Sequence, residues 1–264
     1  MFKAIDCHSH INLEFFKEDY PEVLRRAFEA GVAVINIGTN KKDSEENIKI
    51  AKEFNEGVWA AAGVHPTEGE KLDYSFFKEL AENEKVVAIG ECGLDYFRIK
   101  EGDKKEKERQ IKLFKEQIKL AKEVGKPLML HLRTDEAYEE ALNILEKEGE
   151  LPGIIFHFYS GGEKFLERAI DLDAYFTFGG TLTFKEKNGQ ENEFETVLKK
   201  VPKEKILFET DAPFVAPEPY RGKRNEPIYV LETMKRAGEI LRMSLEEICK
   251  IERENAERIF KIIL

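Results

Sequence analysis

Residues 127–161, PLMLHLRTDEAYEEALNILEKEGELPGIIFHFYSG, decide how this chain folds. Pro127–His131 is a short apolar run without polar alternation, as expected of a strand covered on both faces. Thr134–Glu148 follows with an acidic first turn, and Gly149 closes it, so it reads as a helix. Gly153–His157 is a second apolar run. Strand, helix, strand over this length is the unit that lays two parallel strands side by side. Both runs end on a histidine, His131 and His157.

The same alternation extends outward. Further strands are expected at Ala4–His8, Val32–Gly38, Val58–Gly63, Val86–Glu91, Ala174–Phe178 and Ile206–Thr210. Helices are expected at Glu22–Ala30, Ser44–Phe54, Lys104–Val124, Lys164–Asp171, Glu193–Lys200, Pro227–Arg242 and Ser244–Ile262. Lys104–Val124 carries Ile111, Phe114, Ile118 and Ala121 on one stripe. Ser44 and Asn47 lie in the first turn of their helix, and Ser244 with Glu247 forms a capping box. Eight strand signals and eight helix signals, alternating along nearly the whole chain, predict a single-domain α/β fold over residues 1–264, a (β/α)8 or TIM barrel. An open parallel sheet is the competing fold. It would want a glycine-rich dinucleotide turn after its first strand, and HSHINLEFF is unlike one.

Composition narrows the function. The chain has 264 residues, 42% of them hydrophobic, with 19 Phe, which is ample for one large core and excludes disorder. A net charge of -10 argues against a basic nucleic-acid grip spread over the surface. It leaves room for an anionic substrate where metal ions supply local positive charge. Three cysteines, Cys7, Cys92 and Cys249, form no spaced framework and suit a reducing compartment. No apolar run is long enough to span a membrane, and the N-terminus lacks a signal region, so a cytoplasmic protein is expected. A monomer is compatible with the sequence, which fixes no oligomeric state. Charged residues at 36%, with only three Gln, suit a heat-adapted surface.

The chemistry sits in the histidines. There are five, His8, His10, His65, His131 and His157, and all fall at or just beyond a strand end. In a barrel that is the face where the strand-to-helix loops build the site. His8 and His10 are two apart, so both imidazoles point one way and can reach one metal ion. Asp6 is placed to orient a histidine. Glu91 ends a buried apolar strand and needs a partner. Two metal ions bridged by its oxygens, or an ion pair with Arg or Lys across the mouth, would both serve. Asp211 follows the eighth strand as a candidate ligand, with Glu209 behind it as an orienting or interior partner. The set His8, His10, Glu91, His131, His157 and Asp211 offers nitrogens and carboxylates in a mix that suits Zn²⁺ or Mn²⁺.

These motifs resemble the TatD family of metal-dependent deoxyribonucleases, within the amidohydrolase-like barrels. The resemblance runs through DCHSHIN at 6–12, GVHP at 63–66, IGECGLDYF at 89–97, LHLR at 130–133, HFYSG at 157–161, FGGTLTFK at 178–185, ETDAPFVAP at 209–217, RG at 221–222, NEP at 225–227 and ENAERIF at 254–260. It implies a (β/α)8 barrel with two divalent metal ions (Zn, Mn or Mg). His8, His10, Glu91 and Asp211 then hold the first ion, and Glu91, His131 and His157 the second, with Glu91 bridging. It also implies substrate-side roles for His65, Asp95, Arg133, Ser160 and Arg221. Two departures touch substrate contact only: Phe158 and Tyr159 stand where relatives often have Cys-Phe, and Leu132 where they often have Ser or Thr.

The implied reaction is hydrolysis of a DNA phosphodiester, as an exonuclease on single strands or ends. A divalent metal lowers the pKa of bound water to about 7. Asp211 is expected to take a proton from that water, Glu91 to complete the catalytic centre, and His65 to protonate the leaving oxygen or hold phosphate. Arg133 suits phosphate oxygens by its planar fork. Ser160-Gly161-Gly162 opens a helix whose amides suit a phosphate. Tyr96 and Phe97 are placed to stack on a base. Lys185, Lys187, Lys223 and Arg224 are expected to steer DNA. The alternative is a D-aminoacyl-tRNA deacylase or another ester or amide hydrolase of the same barrel group. Many of those bridge their metals with a carboxylated lysine. No lysine stands at a strand end here, and Glu91 fills that role.

Overall fold

A computed structural model of the chain describes residues 2–100, 102–185 and 192–264. Eight parallel strands lie in chain order: β1 (Ala4–Ser9), β2 (Val32–Ile37), β3 (Val58–Ala62), β4 (Val86–Asp95), β5 (Leu128–Arg133), β6 (Ile154–Phe156), β7 (Tyr175–Phe178) and β8 (Ile206–Phe208). Each pairs with its neighbour, for example Val34 with Val58 and Leu128 with Ile154. The ring closes past the end of β8, where Ser9 bridges to Ala212. Asp211 N–H donates to His8 O at 2.8 Å, and His10 N–H to Ala212 O at 2.8 Å. Asp6, fully buried, fastens this seam by accepting from Thr210 N–H at 2.8 Å and from the Thr210 hydroxyl. The (β/α)8 expectation holds.

The helices are α1 (Tyr20–Glu29), α2 (Lys41–Glu53), α3 (Tyr74–Ala81), α4 (Lys104–Val124), α5 (Asp135–Glu148), α6 (Gly162–Asp171), α7 (Glu193–Lys200), α8 (Val230–Leu241) and α9 (Leu245–Phe260). α3 is an element that the sequence reading did not anticipate. It has only eight residues and is capped by Asp73, which accepts from Phe76 N–H at 3.3 Å. α2 starts earlier than expected because Asn40, accepting from Asp43 N–H, is its cap. Ser44 is instead fully buried and turned to Gly63. The capping box of Ser244 and Glu247 is present on α9.

Strand residues alternate between two apolar layers. Ile5, Cys7, Ile35, Met129, Ile155 and Leu207 form one with Ile259 and Phe260 from the end of α9. The larger layer packs strands against helices through residues such as Val34, Ala60, Leu130, Phe156 and Phe176. Because α9 belongs to the first layer, the barrel floor is covered and the opposite end stays open. No helix among the described residues is long and apolar enough to cross a membrane.

Candidate active site

The open end gathers every histidine. β1 carries His8 and presents His10 just beyond it, β5 carries His131, His157 follows β6, and His65 lies past β3. A register shift between Asp6 and Ser9 interrupts β1 pairing where the two ligand candidates lie. A second shift, between Ile89 and Cys92, does the same at Glu91. Gly90 makes that possible: it sits at φ +152, and a Cβ there would lie 2.6 Å from Met129 O. After the shift β4 runs on to Asp95, four residues beyond the expected end, pairing Gly93 with His131.

Glu91 is the hub. Its Oε1 lies 2.8 Å from His131 Nδ1, 3.6 Å from His65 Nε2 and 3.7 Å from His157 Nε2. Its Oε2 lies 3.6 Å from His8 Nε2 and 3.7 Å from His10 Nε2. Asp211 Oδ1 stands 3.4 Å from His10 Nε2 and 3.8 Å from His8 Nε2. Asp211 itself is left-handed at φ 56, a conformation that aspartate tolerates better than most residues. Three sets of side chains bring ligand atoms within 4.8 Å of one another: His8, His10 and Asp211; His8, Glu91 and His157; and His65, Glu91 and His131. The expected six-residue set is thus together, and His65 joins it. His157 falls in the set with His8, whose ring stacks on it at 3.5 Å, and its Nε2 faces the same Glu91 oxygen as His131.

The outward ring nitrogens fix which face each histidine offers. His10 Nδ1 donates to Ile37 O at 3.2 Å, and His157 Nδ1 meets Glu209 Oε2 at 3.0 Å, so each turns its Nε2 inward. His131 is reversed: Nε2 meets Asp95 Oδ2 at 3.2 Å and Nδ1 faces Glu91. Asp95, expected on the substrate side, is buried behind His131 and orients it. Asp6, expected to orient a histidine, holds Thr210 and the His8 main-chain N–H instead. His65 differs again. Thr67 N–H donates to its Nδ1 at 3.2 Å, which leaves the proton on Nε2, pointing into the site.

A cation fits this donor set. His131 Nδ1 stands 2.8 Å from Glu91 Oε1, and His8 Nε2 stands 3.2 Å from His10 Nε2, so nitrogens and carboxylate oxygens crowd one small buried volume. Buried carboxylates in such a cluster need positive charge beside them, which a bound cation or a protonated imidazole supplies. The field says the same. Burial works to lower His157, yet Glu209, with Glu91 and Asp211, raises it to about 10. Burial works to raise Glu91, yet His65, His131 and His8 hold it well below its usual value. Asp211 is likewise held low against burial, chiefly by His10 and His157. Burial lowers His65 to about 4, so it is neutral.

The outer residues divide. Two cavities, of about 340 and 410 Å³, open at the mouth, and Arg133 lines both. Its guanidinium lies 4.0 Å over the Phe97 ring. Phe97 is 61% exposed, whereas Tyr96 is buried at 7%, beneath Lys107, and offers no open face to a base. Ser160 lines the first cavity, but its N–H is taken by Tyr138 Oη at 2.9 Å. Arg221 is exposed and stacks over Phe184 at 4.0 Å. Arg224, expected to steer DNA, is committed to Asp19 at 2.7 Å and Glu226 at 3.1 Å. Lys185 and Lys223 remain exposed, and Lys187 lies outside the described residues. Sequence reasoning missed Phe15, Phe214 and Arg98 at this rim, because loop residues carry no periodic signal.

A parallel barrel whose open end gathers histidines and carboxylates around a place for cations defines a metal-dependent hydrolase. The TatD related DNase family model matches residues 5–261, and the chain belongs to that family. It is 38% identical over 262 residues, 97% of this chain and 98% of the other, to an uncharacterized metal-dependent hydrolase, YabD, of Bacillus subtilis. It is 30% identical over 256 residues, 94% of this chain and 95% of the other, to the 3'-5' ssDNA/RNA exonuclease TatD of Edwardsiella piscicida. Among solved structures, the TatD homologue YjjV of Escherichia coli superposes with a TM-score of 0.87 at 30% identity, with 99% of each chain covered.

Proposed function

We propose that this centre holds two divalent cations (zinc, manganese or magnesium) and hydrolyses phosphodiester bonds at the 3' ends of single-stranded DNA or RNA. His8, His10, Asp211 and Glu91 would hold one, and Glu91, His131 and His157 the other, with a Glu91 oxygen facing each. Cations bound there would polarise the phosphate and make water a nucleophile near neutral pH. The chain's own residues do the rest. Asp211, kept ionised by its histidine neighbours, takes the proton of the attacking water. His65 donates its Nε2 proton as a hydrogen bond to a phosphate or leaving oxygen. Arg133 forks onto phosphate oxygens. Ser160 and Arg221 lie further along the substrate path, Tyr96 supports the loop that presents Phe97, and Asp95 acts through His131. The whole chain, residues 1–264, works as one unit, on a nucleic-acid substrate, in the cytoplasm.

The observation that carries this reading is the convergence of ring nitrogens from all five histidines on the two oxygens of the buried Glu91, at 2.8 to 3.7 Å, with Asp211 beside them. The relatives' names supply the substrate and polarity. Glu91 in place of a bridging lysine favours the nuclease over the deacylase alternative. The test is an end-labelled single-stranded oligonucleotide with the metal-loaded protein, with the chelated protein, and after metal is restored. Stepwise loss of nucleotides from the 3' end, stopped by chelation and recovered with metal, is expected. Release that ignores the chelator, or cleavage of a D-aminoacyl ester in place of the oligonucleotide, overturns the reading.

A further inference from the structure

Four large hydrophobic side chains are exposed among the described residues: Phe15 at 61%, Phe97 at 61%, Phe214 at 45% and Ile263 at 90%. Ile263 is next to the last residue. The other three stand on the rim of the mouth, in loops after β1, β4 and β8. A single exposed phenylalanine means little, but three around one opening do.

We propose that these rings form two nucleobase platforms, Phe15 with Phe214 on one rim and Phe97 backed by Arg133 on the other, between which an unpaired strand is held across the carboxylate–histidine centre. This rests on the phosphodiesterase reading and adds to it where the bases go. Neighbouring strands follow chain order around the ring, so the loops after β8 and β1 lie across the opening from those after β4 and β5. The Phe15 and Phe214 rings meet edge to face at 6.1 Å, and Phe214 in turn meets His10 at 6.5 Å. Opposite them, the Arg133 guanidinium covers one face of Phe97 at 4.0 Å.

Both platforms are fixed before substrate arrives. Arg224 Nη1 donates to Phe15 O at 2.8 Å while its fork grips Asp19. The buried Asn225 amide donates to Phe214 O at 2.7 Å and to Thr210 O at 2.8 Å. Phe97 N–H donates to Asp95 Oδ1 at 2.9 Å, the carboxylate that orients His131. Rings held in place lose little freedom on binding.

Charge argues for bases over an apolar protein segment. Arg98 and Arg133 line the cavity between the platforms; among the described residues neither is in an ion pair within 4.0 Å, although Arg133 lies close enough to Asp95 to help hold its carboxyl low, so both guanidiniums can turn to phosphates flanked by bases. Elsewhere the chain is acidic, at -10 overall, so a polyanion gains little from the wider surface. Stacking is indifferent to that charge and to base identity. In a duplex both faces of each base are already covered, so only unpaired nucleotides can use the platforms.

The test compares kcat/KM of the metal-loaded enzyme for a single-stranded oligonucleotide with that for methyl p-nitrophenyl phosphate, which has no base. Phe97→Ala and Phe214→Ala are each expected to lower that ratio about 10-fold through the oligonucleotide KM, since stacking on one aromatic ring is worth about 1–3 kcal/mol per base. Phe97→Trp should restore it, and Phe97→Leu, of similar bulk, should not. A ratio unchanged in both alanine variants overturns the platforms and leaves the hydrolase standing. If the wild-type enzyme cleaves neither substrate, the hydrolase reading fails. The platforms are then read by quenching of a 2-aminopurine oligonucleotide, lost in Phe214→Ala if they exist and absent from the wild type if they do not.

Discussion

Glu209 Oε2 lies 3.0 Å from Nδ1 of His157, on the side of the ring turned away from Glu91. A fully buried carboxylate there fixes the tautomer and makes the inward nitrogen a better donor to a cation. Glu209→Gln keeps the shape and removes the charge. It is expected to weaken metal binding and turnover about 10–100-fold. Competition against a fluorescent chelator measures the first. Wild-type affinity in the variant would dismiss an orienting role.

Glu91 faces all five histidines, with distances from 2.8 to 3.7 Å. Glu91→Ala should abolish turnover and loosen both cations, a larger loss than the about 10–100-fold of an outer residue such as Glu209. Metal content after gel filtration decides this. Two ions retained tightly by the variant would remove Glu91 from the bridging position.

Asn225 uses its amide to satisfy two carbonyls, Thr210 O and Phe214 O, in a site with no solvent exposure. Asn225→Ala leaves both unpaired, at a cost of about 1–3 kcal/mol for each buried group. About 2–6 kcal/mol in total lowers the melting temperature of a chain this size by about 4–24 °C. A melting temperature equal to wild type would show that water replaces the amide.

Glu252, fully buried on α9, accepts from Ile5 N–H at 3.2 Å and lies 3.6 Å from Cys7 Sγ. Burial pushes its carboxyl well above the ordinary range. The folded chain therefore holds a proton that the unfolded chain releases at about pH 4.3, the value of a free glutamate side chain. The sign follows: as pH rises above that value the unfolded state is favoured, and stability falls until the folded carboxyl titrates too. Glu252→Gln keeps an acceptor for Ile5 and removes this dependence. Its urea midpoint should exceed wild type by a margin that widens from pH 5 to pH 8. A constant margin would mean that Glu252 is ionised in the folded state.

Much of this was legible in the sequence because the signals were local. An apolar run of four to six residues reads as a covered strand whatever surrounds it, and a histidine at its end is visible in one dimension. The failures share one cause, a local pattern overruled by something distant. Asp95 was expected on the substrate side from the family resemblance, and Tyr96 from its place just past a β4 that was expected to stop at Glu91. The register shift after Ile89 lets β4 continue beside β5, which folds Asp95 behind His131 and buries Tyr96. The helix after β2 was expected to open at Ser44, but Asn40, four residues earlier, caps it. Arg224 looked free because Asp19, its partner, is 205 residues away in sequence. The NEP and ENAERIF motifs, given no role by sequence reading, turn out to tie loops down: Asn255 donates to Lys203 O and Ile206 O, both at 2.8 Å, at the entrance to β8.

The Asp6–Thr210 fastening joins residues 204 positions apart, and His8, His10 and Asp211 lie immediately beside it. During synthesis His8 and His10 leave the ribosome early and wait for nearly the whole chain before Asp211 can dock beside them. The donors of the mouth therefore come together only when the last strand closes the ring, and a chain cut before β8 would leave that set incomplete.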